Sequence, residues 1–549
     1  MRKHLLILTI LLSFVVPGAA LAKEPSVEIS AAERMMAEAI TAEQLSDYLH
    51  FIASDAMGGR DTPSSGLDIT AQFIALNLKK WGFKPAGDDG SFFQKMTVRK
   101  ESIDASKMAF EIGDTKYAYT EDFFRAGGKG MATARMVFGK DGWMVKSKGI
   151  DAFKGVDVKD KIVVLYSDKA ARSLAPPQPE GVTDDDLKGE KGVDWADPMT
   201  NAKMNGAKGI IIVASPQYES FWARLKGFLG RGGMSIDGLG RGRGGGDSDE
   251  DLLPSILVNK KVASAIFEGG TGDQNSETAF EIDKTATMST ASGVTKIPTQ
   301  NVVAIWEGRD PKLKEEMVAI GAHYDHEGIK PDANGEDKIW NGADDDGSGT
   351  VGVLAIAEAL AKAKTRPKRS VLFVWHAGEE KGLLGAQYFN KYPTVNIKNV
   401  VAQLNIDMIG RSKKAGDTNP KNKDLSGDNE VYVIGSEMMS STLGAVTKGT
   451  NDSYLKMNYN YKYDDPKDPN RFFFRSDHFM YAQNGIPIVF WFTGVHEDYH
   501  QASDSPDKID YKKMETIART IFLTLWEITE LKERPAVDKQ LPPELTRRG

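Results

Sequence analysis

Four pieces of one stretch decide how this chain is read: MVAIGAHYDHEG (317–328), NGADDDGSG (341–349), FVWHAGEEKG (373–382) and LNIDMIG (404–410). Each ends an apolar run or a short turn in residues that bind cations. Between them they offer His323, Asp325, Asp345, Glu379, Glu380 and Asp407. The spacing puts such groups where buried strands stop, so a site would be assembled from separate strands. A single His or Asp at a strand end is usually structural, held by hydrogen bonds. Four such groups at successive strand ends are different, because burying them together without a cation costs several kcal/mol per charge. The cluster therefore implies bound metal, and mixed imidazole and carboxylate donors suit zinc, with cobalt or manganese as substitutes. A second His is needed to fill two sites. DYHQASDSPDKID supplies His500 in a polar loop after the last strand, and His478, in FFFRSDHFMYA, is the competing candidate.

The surroundings of this stretch alternate strand and helix. Strands are expected at 301–306, 317–322, 371–375, 400–406, 430–434 and 486–492. Helices are expected at 350–363, 383–391, 437–447 and 478–484, with a long amphipathic helix over 511–531. This alternation predicts an α/β fold: a mixed, mostly parallel sheet with helices on both faces. Ligands bind beyond the carboxyl ends of strands in such sheets, which is where His323, Glu379, Glu380 and Asp407 fall. Gly347 to Gly352 matches G-x-G-x-x-G but follows the polar loop NGADDD instead of a buried strand, so it is no dinucleotide fingerprint. Its glycines let the loop turn tightly enough for an aspartate to point into the site.

Further out, 549 residues suggest two or three domains. Residues 1–22 combine Arg2-Lys3, the apolar run 5–16 and Ala20-Leu21-Ala22, which reads as a secretory signal peptide. The apolar run is too short to span a bilayer, so no stable membrane anchor is expected, and the protein should be exported, periplasmic or secreted. With no cysteine, the chain has neither disulfides nor thiol catalysis. Its formal charge is −7, and losing Arg2 and Lys3 makes it more acidic still. Nucleic acid is not an expected partner. Helical spacing marks 31–57 and 69–81, and the turn between them, with Asp55 and Arg60, is read as packing one segment onto the next. Residues 131–282 carry short β-rich runs and no His. They read as a small inserted domain that shapes access and supplies no catalytic group. Within it, the Gly/Arg-rich run 227–246 reads as a surface loop.

The motifs GAHYDH, GADDDGSG, AGEEKGLLG, NIDMIG and YHQASDSPD resemble, in order and spacing, those of the co-catalytic zinc peptidases of metallopeptidase family twenty-eight. The resemblance covers 302–530 and implies the zinc exopeptidase fold. It implies that His323 and Asp407 hold one zinc, that Glu380 and His500 hold the other, and that Asp345 bridges them. It further implies Glu379 as general base, Asp325 orienting His323, and Tyr499 at a position that stabilises the oxyanion in some members. VKDKIVVL, NGAKGIIIV and LPSILV are similar to the protease-associated domain that many members carry.

The expected plan is a signal peptide (1–22), the first part of the peptidase domain (23–130), the protease-associated-like insertion (131–290), the di-zinc peptidase domain (291–535) and a C-terminal tail (536–549). The expected function is an exopeptidase acting on peptides, an aminopeptidase first. A carboxypeptidase or glutaminyl cyclase on the same fold is the alternative, and a non-catalytic receptor-like relative a further one. Neither side-chain preference nor oligomeric state is legible.

Overall fold

The computed structural model describes residues 27–169, 174–229, 233–239 and 252–546. The expected signal peptide lies outside them. Among the described residues the larger sheet has ten strands. Its main run is, in spatial order, Met234–Ile236, Phe93–Ile103, Ser292–Trp306, Ser370–His376, Met317–His323, Val400–Ile406, Ile488–Phe492, Glu430–Ile434 and Asn458–Asn460; Lys84–Pro85 also pairs with Ser292–Trp306. The central strands, from Ser370–His376 to Ile488–Phe492, are parallel to one another. Their outer neighbours, Ser292–Trp306 and Glu430–Ile434, run antiparallel to them, so parallel order is concentrated at the centre.

Every residue of Met317–His323, Ser370–His376 and Val400–Ile406 is buried, which is why these strands read as continuous apolar runs instead of alternating ones. Successive side chains still point to opposite faces. Val318, Ile320, Phe373 and Trp375 enter one core with the helices Ala42–Ile52, Ser65–Lys80, Gly349–Lys362 and Tyr511–Glu530. Met317, Ala319, Leu372 and Val374 enter another, shared with Phe389 of Leu384–Lys391 and Phe479 of His478–Gln483. Covering both faces leaves the carboxyl edge of the parallel strands as the place where polar groups can gather.

Two helices depart from expectation because of their caps. The helical pattern over 31–57 divides into Ala31–Ala37 and Ala42–Ile52, since Thr41 and Gln44 form a capping box that starts the second helix afresh. The helix expected at 437–447 is Ser441–Ser453, where the Ser440 hydroxyl accepts the Leu443 N–H.

A second sheet, of eight strands, is formed largely by the inserted segment, and its boundary lies earlier than 131. Ala109–Ile112, Thr115–Tyr117 and Phe123–Gly127 join Gly130–Phe138, Ile162–Leu165, Gly209–Val213, Ser255–Val258 and Phe280–Thr290. The inserted unit thus begins after Ile103. Ala109 pairs opposite Ser289 and Phe123 opposite Val258, and no local periodicity reveals partners so far along the chain. Entry and exit are the strands Phe93–Ile103 and Ser292–Trp306, which pair from Ser292 opposite Ile103 to Val302 opposite Phe93. Within the Gly/Arg-rich run read as a loop, Met234–Ile236 is a strand paired with Phe93–Ile103; residues 230–232 and 240–251 lie outside the described residues. The stretch expected as a C-terminal tail lies against the core, with Leu545 buried and the Lys539 N–H donating to the Met439 carbonyl. No helix among the described residues is long and apolar enough to cross a membrane.

Candidate metal centre

The carboxyl edge of the parallel strands gathers the acidic and imidazole groups. His323 is the last residue of its strand, Glu379 and Glu380 stand in the turn after Ser370–His376, and Asp407 directly follows Val400–Ile406. His500 comes from the loop after Ile488–Phe492. Asp345 enters from the turn Ala343–Ser348 that precedes the helix Gly349–Lys362.

Three consecutive aspartates in that turn divide its tasks. Asp344 accepts the Gly410 N–H at 2.6 Å and the Ser348 hydroxyl at 3.0 Å. Asp346 accepts the N–H groups of Gly349 at 2.9 Å and Met408 at 3.1 Å. Both tie the turn to the strand end that carries Asp407. A Cβ on Gly349 would lie 2.3 Å from the Asp346 carboxylate and 2.6 Å from the Ile406 carbonyl, so only glycine allows this closeness. Asp345 is left to face the cluster. Its backbone N–H, with that of Asp344, donates to the Asp504 carboxylate.

The two oxygens of Asp345 face opposite ways. Oδ1 is 3.3 Å from His323 Nε2, which is itself 3.6 Å from Asp407 Oδ2. Oδ2 is 3.0 Å from His500 Nε2, which is 3.2 Å from Glu380 Oε2. Glu379 stands slightly apart, its Oε2 4.0 Å from His323 Nε2. Burial, reinforced by nearby Glu380, Asp407 and Asp477, holds the Glu379 carboxyl well above the usual carboxylate range against the pull of His323. Burial would lower the His500 imidazole, but the close Asp345 and Glu380 carboxylates override it and push the ring up to about 11. Negative groups are thus crowded enough to demand positive charge between them.

Asp325 fixes two neighbours. Its backbone carbonyl is 3.2 Å from His323 Nδ1 and its carboxylate 3.6 Å away, while Oδ1 accepts the Glu379 N–H at 3.1 Å. It orients His323 through the main chain at least as much as through the carboxylate. Tyr499 stacks on His500 with ring centroids 4.0 Å apart, and its hydroxyl accepts from Arg475 at 3.0 Å. Both line a pocket that also includes Glu379, Asp407, Phe472 and Phe492. His478 is elsewhere: fully buried, stacked on Phe490 at 4.5 Å, and driven down to about 3 by burial.

Three participants escape a reading of the sequence. His326 lies in the turn that directly follows His323, and its spacing of three residues was a usable signal. Asp504 braces the Asp345 turn from a position more than a hundred residues away, which no local pattern discloses. Arg60 does more than pack one segment onto the next: it donates to the carbonyls of Tyr324, Asn341 and Gly342, next to the ligand-bearing turns.

The donor set fits a divalent metal. His500 Nε2, both His326 nitrogens and Glu380 Oε1 are buried without hydrogen-bond partners, although oxygens and nitrogens approach one another closely. Such groups are costly unless a cation satisfies them. Two further observations of the same kind are the groupings His323–Asp345–Asp407 and His326–Asp345–Glu380, each with ligand atoms within 4.8 Å of one another.

Fold and site together define the class: an α/β protein built around a divalent-metal centre at the carboxyl edge of its parallel strands. Residues 301–525 match the model of Peptidase family M28. It is similar to a probable leucine aminopeptidase of Arthroderma otae, 31% identical over 228 residues, which cover 40% of this chain and 56% of that protein. Leucine aminopeptidase 2 of the same organism is 28% identical over 243 residues, 44% of this chain and 42% of the relative. The chain spans about half the length of these curated relatives. Among solved structures, the aminopeptidase from Aneurinibacillus sp. strain AM-1 shares the fold, with a TM-score of 0.54 and 18% identity over 92% of this chain and 97% of that one.

Proposed function

We propose that the protein is an exported two-zinc aminopeptidase that removes N-terminal residues from peptides. The observation that carries this reading is the division of Asp345, with one oxygen toward His323 and Asp407 and the other toward Glu380 and His500. Two cations held by these residues would supply charge to polarise the scissile carbonyl and to lower the pKa of the attacking water. Cobalt or manganese could replace zinc in such a donor set.

The chain's own groups do the rest. Glu379 faces the pocket beside Asp345 and Asp407, placed to take the water's proton and return it to the leaving amine. Glu380, turned toward His500 and His326, is committed elsewhere. Phe472, Phe490, Phe492, Met408 and Val495 give the pocket an apolar wall, which suits an apolar side chain on the substrate. Tyr499 and Arg475, joined by their hydrogen bond, put donors at its rim for a developing oxyanion.

Free-amine dipeptides should be hydrolysed and their N-acetylated counterparts left intact. A chelator should abolish the activity and added zinc restore it. Equal turnover of blocked and free substrates, or activity indifferent to chelation, would remove the aminopeptidase reading. Substituting Asp345→Ala should empty both metal positions, whereas His323→Ala should empty mainly one. Elemental analysis finding two full equivalents of zinc in the Asp345→Ala protein would sink the shared-ligand assignment.

A further inference from the structure

We propose that His326 is a further metal ligand, so that the Glu380–His500 position is enclosed by four protein donors while the Asp407 position keeps three and an open face. The inference rests on the two-metal reading above and makes its two positions unequal.

The imidazole of His326 is fully buried, and neither ring nitrogen has a hydrogen-bond partner. Its Nδ1 lies 2.9 Å from Glu380 Oε1 and 3.8 Å from Asp345 Oδ2. Glu380 Oε1 is likewise without a well-aligned hydrogen bond, so the 2.9 Å approach leaves both atoms poorly satisfied. Two buried atoms that attract protons or cations face each other with nothing to satisfy them, which is a costly arrangement in a dry interior.

The spacings from each imidazole to the carboxylates are those of ligands around one ion. Zinc bonds of about 2.0–2.2 Å to N and O in a tetrahedron set the donors about 3.3–3.6 Å apart. Around the Glu380 position the measured separations are 2.9 and 3.8 Å from His326, and 3.0 and 3.2 Å from His500. These bracket the tetrahedral edge, and the two imidazoles meet edge to face with centroids 5.6 Å apart. Around the Asp407 position the corresponding separations are 3.3 and 3.6 Å, for three donors only. The pocket lies beside that second position, where Glu379 and Asp407 line it.

The surroundings hold the ring where this role needs it. The His326 backbone N–H donates to the Arg60 carbonyl at 3.1 Å. A Cβ on Gly342 would lie 2.3 Å from His326 Cγ, so that glycine leaves room for the imidazole. Closed four-ligand positions characterise structural zinc and open three-ligand positions catalytic zinc. The Glu380–His500–His326 ion would therefore be the more tightly held of the two, and the Asp407 ion would keep the more open face toward the pocket.

The test uses the full-length, metal-stripped protein. Zinc titration against a chromophoric chelator should find two ions of unequal affinity in the wild type. His326→Ala should weaken the tighter one more than about 100-fold, beyond the ~10–100-fold typical of outer-shell partners, and leave the other unchanged. Loss within 100-fold, or equal loss from both ions, overturns the proposal and leaves His326 as an outer-shell partner. Binding of fewer than two ions by the wild type would instead overturn the two-metal reading. If the Ala variant does not fold, X-ray absorption on wild type carrying one equivalent of zinc decides the matter: two imidazoles per zinc are expected, and one overturns the assignment.

Discussion

Glu379→Gln should slow turnover of a free-amine dipeptide by about 10²–10⁴-fold, the usual value of a positioned general base, with zinc content and melting temperature preserved. Glutamine keeps the size of the side chain and removes only its basicity. The position is held from behind, because the Glu379 N–H donates to Asp325 Oδ1 at 3.1 Å, and the carboxylate is not among the close donors, standing 4.0 Å from His323 Nε2. Glu380→Gln should behave oppositely, weakening metal binding first, since its two oxygens approach His326 and His500. Stopped-flow turnover together with elemental analysis separates the two. A Glu379→Gln protein that loses zinc, beside an inactive Glu380→Gln protein that retains it, would exchange the roles.

Arg60→Ala should cost about 3 kcal/mol of stability or more, since each buried carbonyl left without its donor costs about 1–3 kcal/mol. The guanidinium has no exposed surface and donates to four carbonyls: Ile52 at 2.8 Å, Asn341 at 2.7 Å, Gly342 at 2.8 Å and Tyr324 at 3.0 Å. Removing it takes this donor from the buried Ile52, Asn341 and Tyr324 carbonyls, while the Gly342 carbonyl keeps the Gly347 N–H at 3.1 Å. Because Tyr324 follows His323 and Gly342 leads into the Asp345 turn, zinc affinity should fall as well. Arg60→Lys should rescue little, since an ammonium cannot reproduce the planar fork. Denaturant unfolding that shows a loss below 1 kcal/mol would refute this.

Legibility in the sequence followed burial. Val400–Ile406 and Glu430–Ile434 have the bounds expected from their apolar runs, because they are buried almost throughout and their ends are punctuated by polar residues. Once those strand ends were located, His323, Glu379, Glu380 and Asp407 had to converge on one edge. The choice among Asp344, Asp345 and Asp346 was not available from composition or spacing alone. It came from resemblance to a motif, and only the hydrogen bonds of Asp344 and Asp346 explain why the middle residue is free to face the cluster. The start of the inserted unit was illegible for another reason. Strands as short as Thr115–Tyr117 take their identity from partners brought in by the fold, and Phe110 finds Met288 only after the chain has run through the whole unit.

The ladder between Phe93–Ile103 and Ser292–Trp306 makes the inserted unit an appendage on a hairpin stem. Its departure and return points are neighbouring residues in adjacent strands, so a short turn could join Ile103 to Ser292 at little loop-closure entropy. The stem is not bare, however, because Met234–Ile236 comes back from the unit to lie along the outer side of Phe93–Ile103. Excision would strip that cover and leave a long row of unpaired backbone groups, a template for other chains. A core trimmed in this way would fold from its own interior yet tend to self-associate through that exposed margin. The returning strand acts as a guard against this, which gives the chain a reason to send part of its Gly/Arg-rich run so far from the unit that bears it.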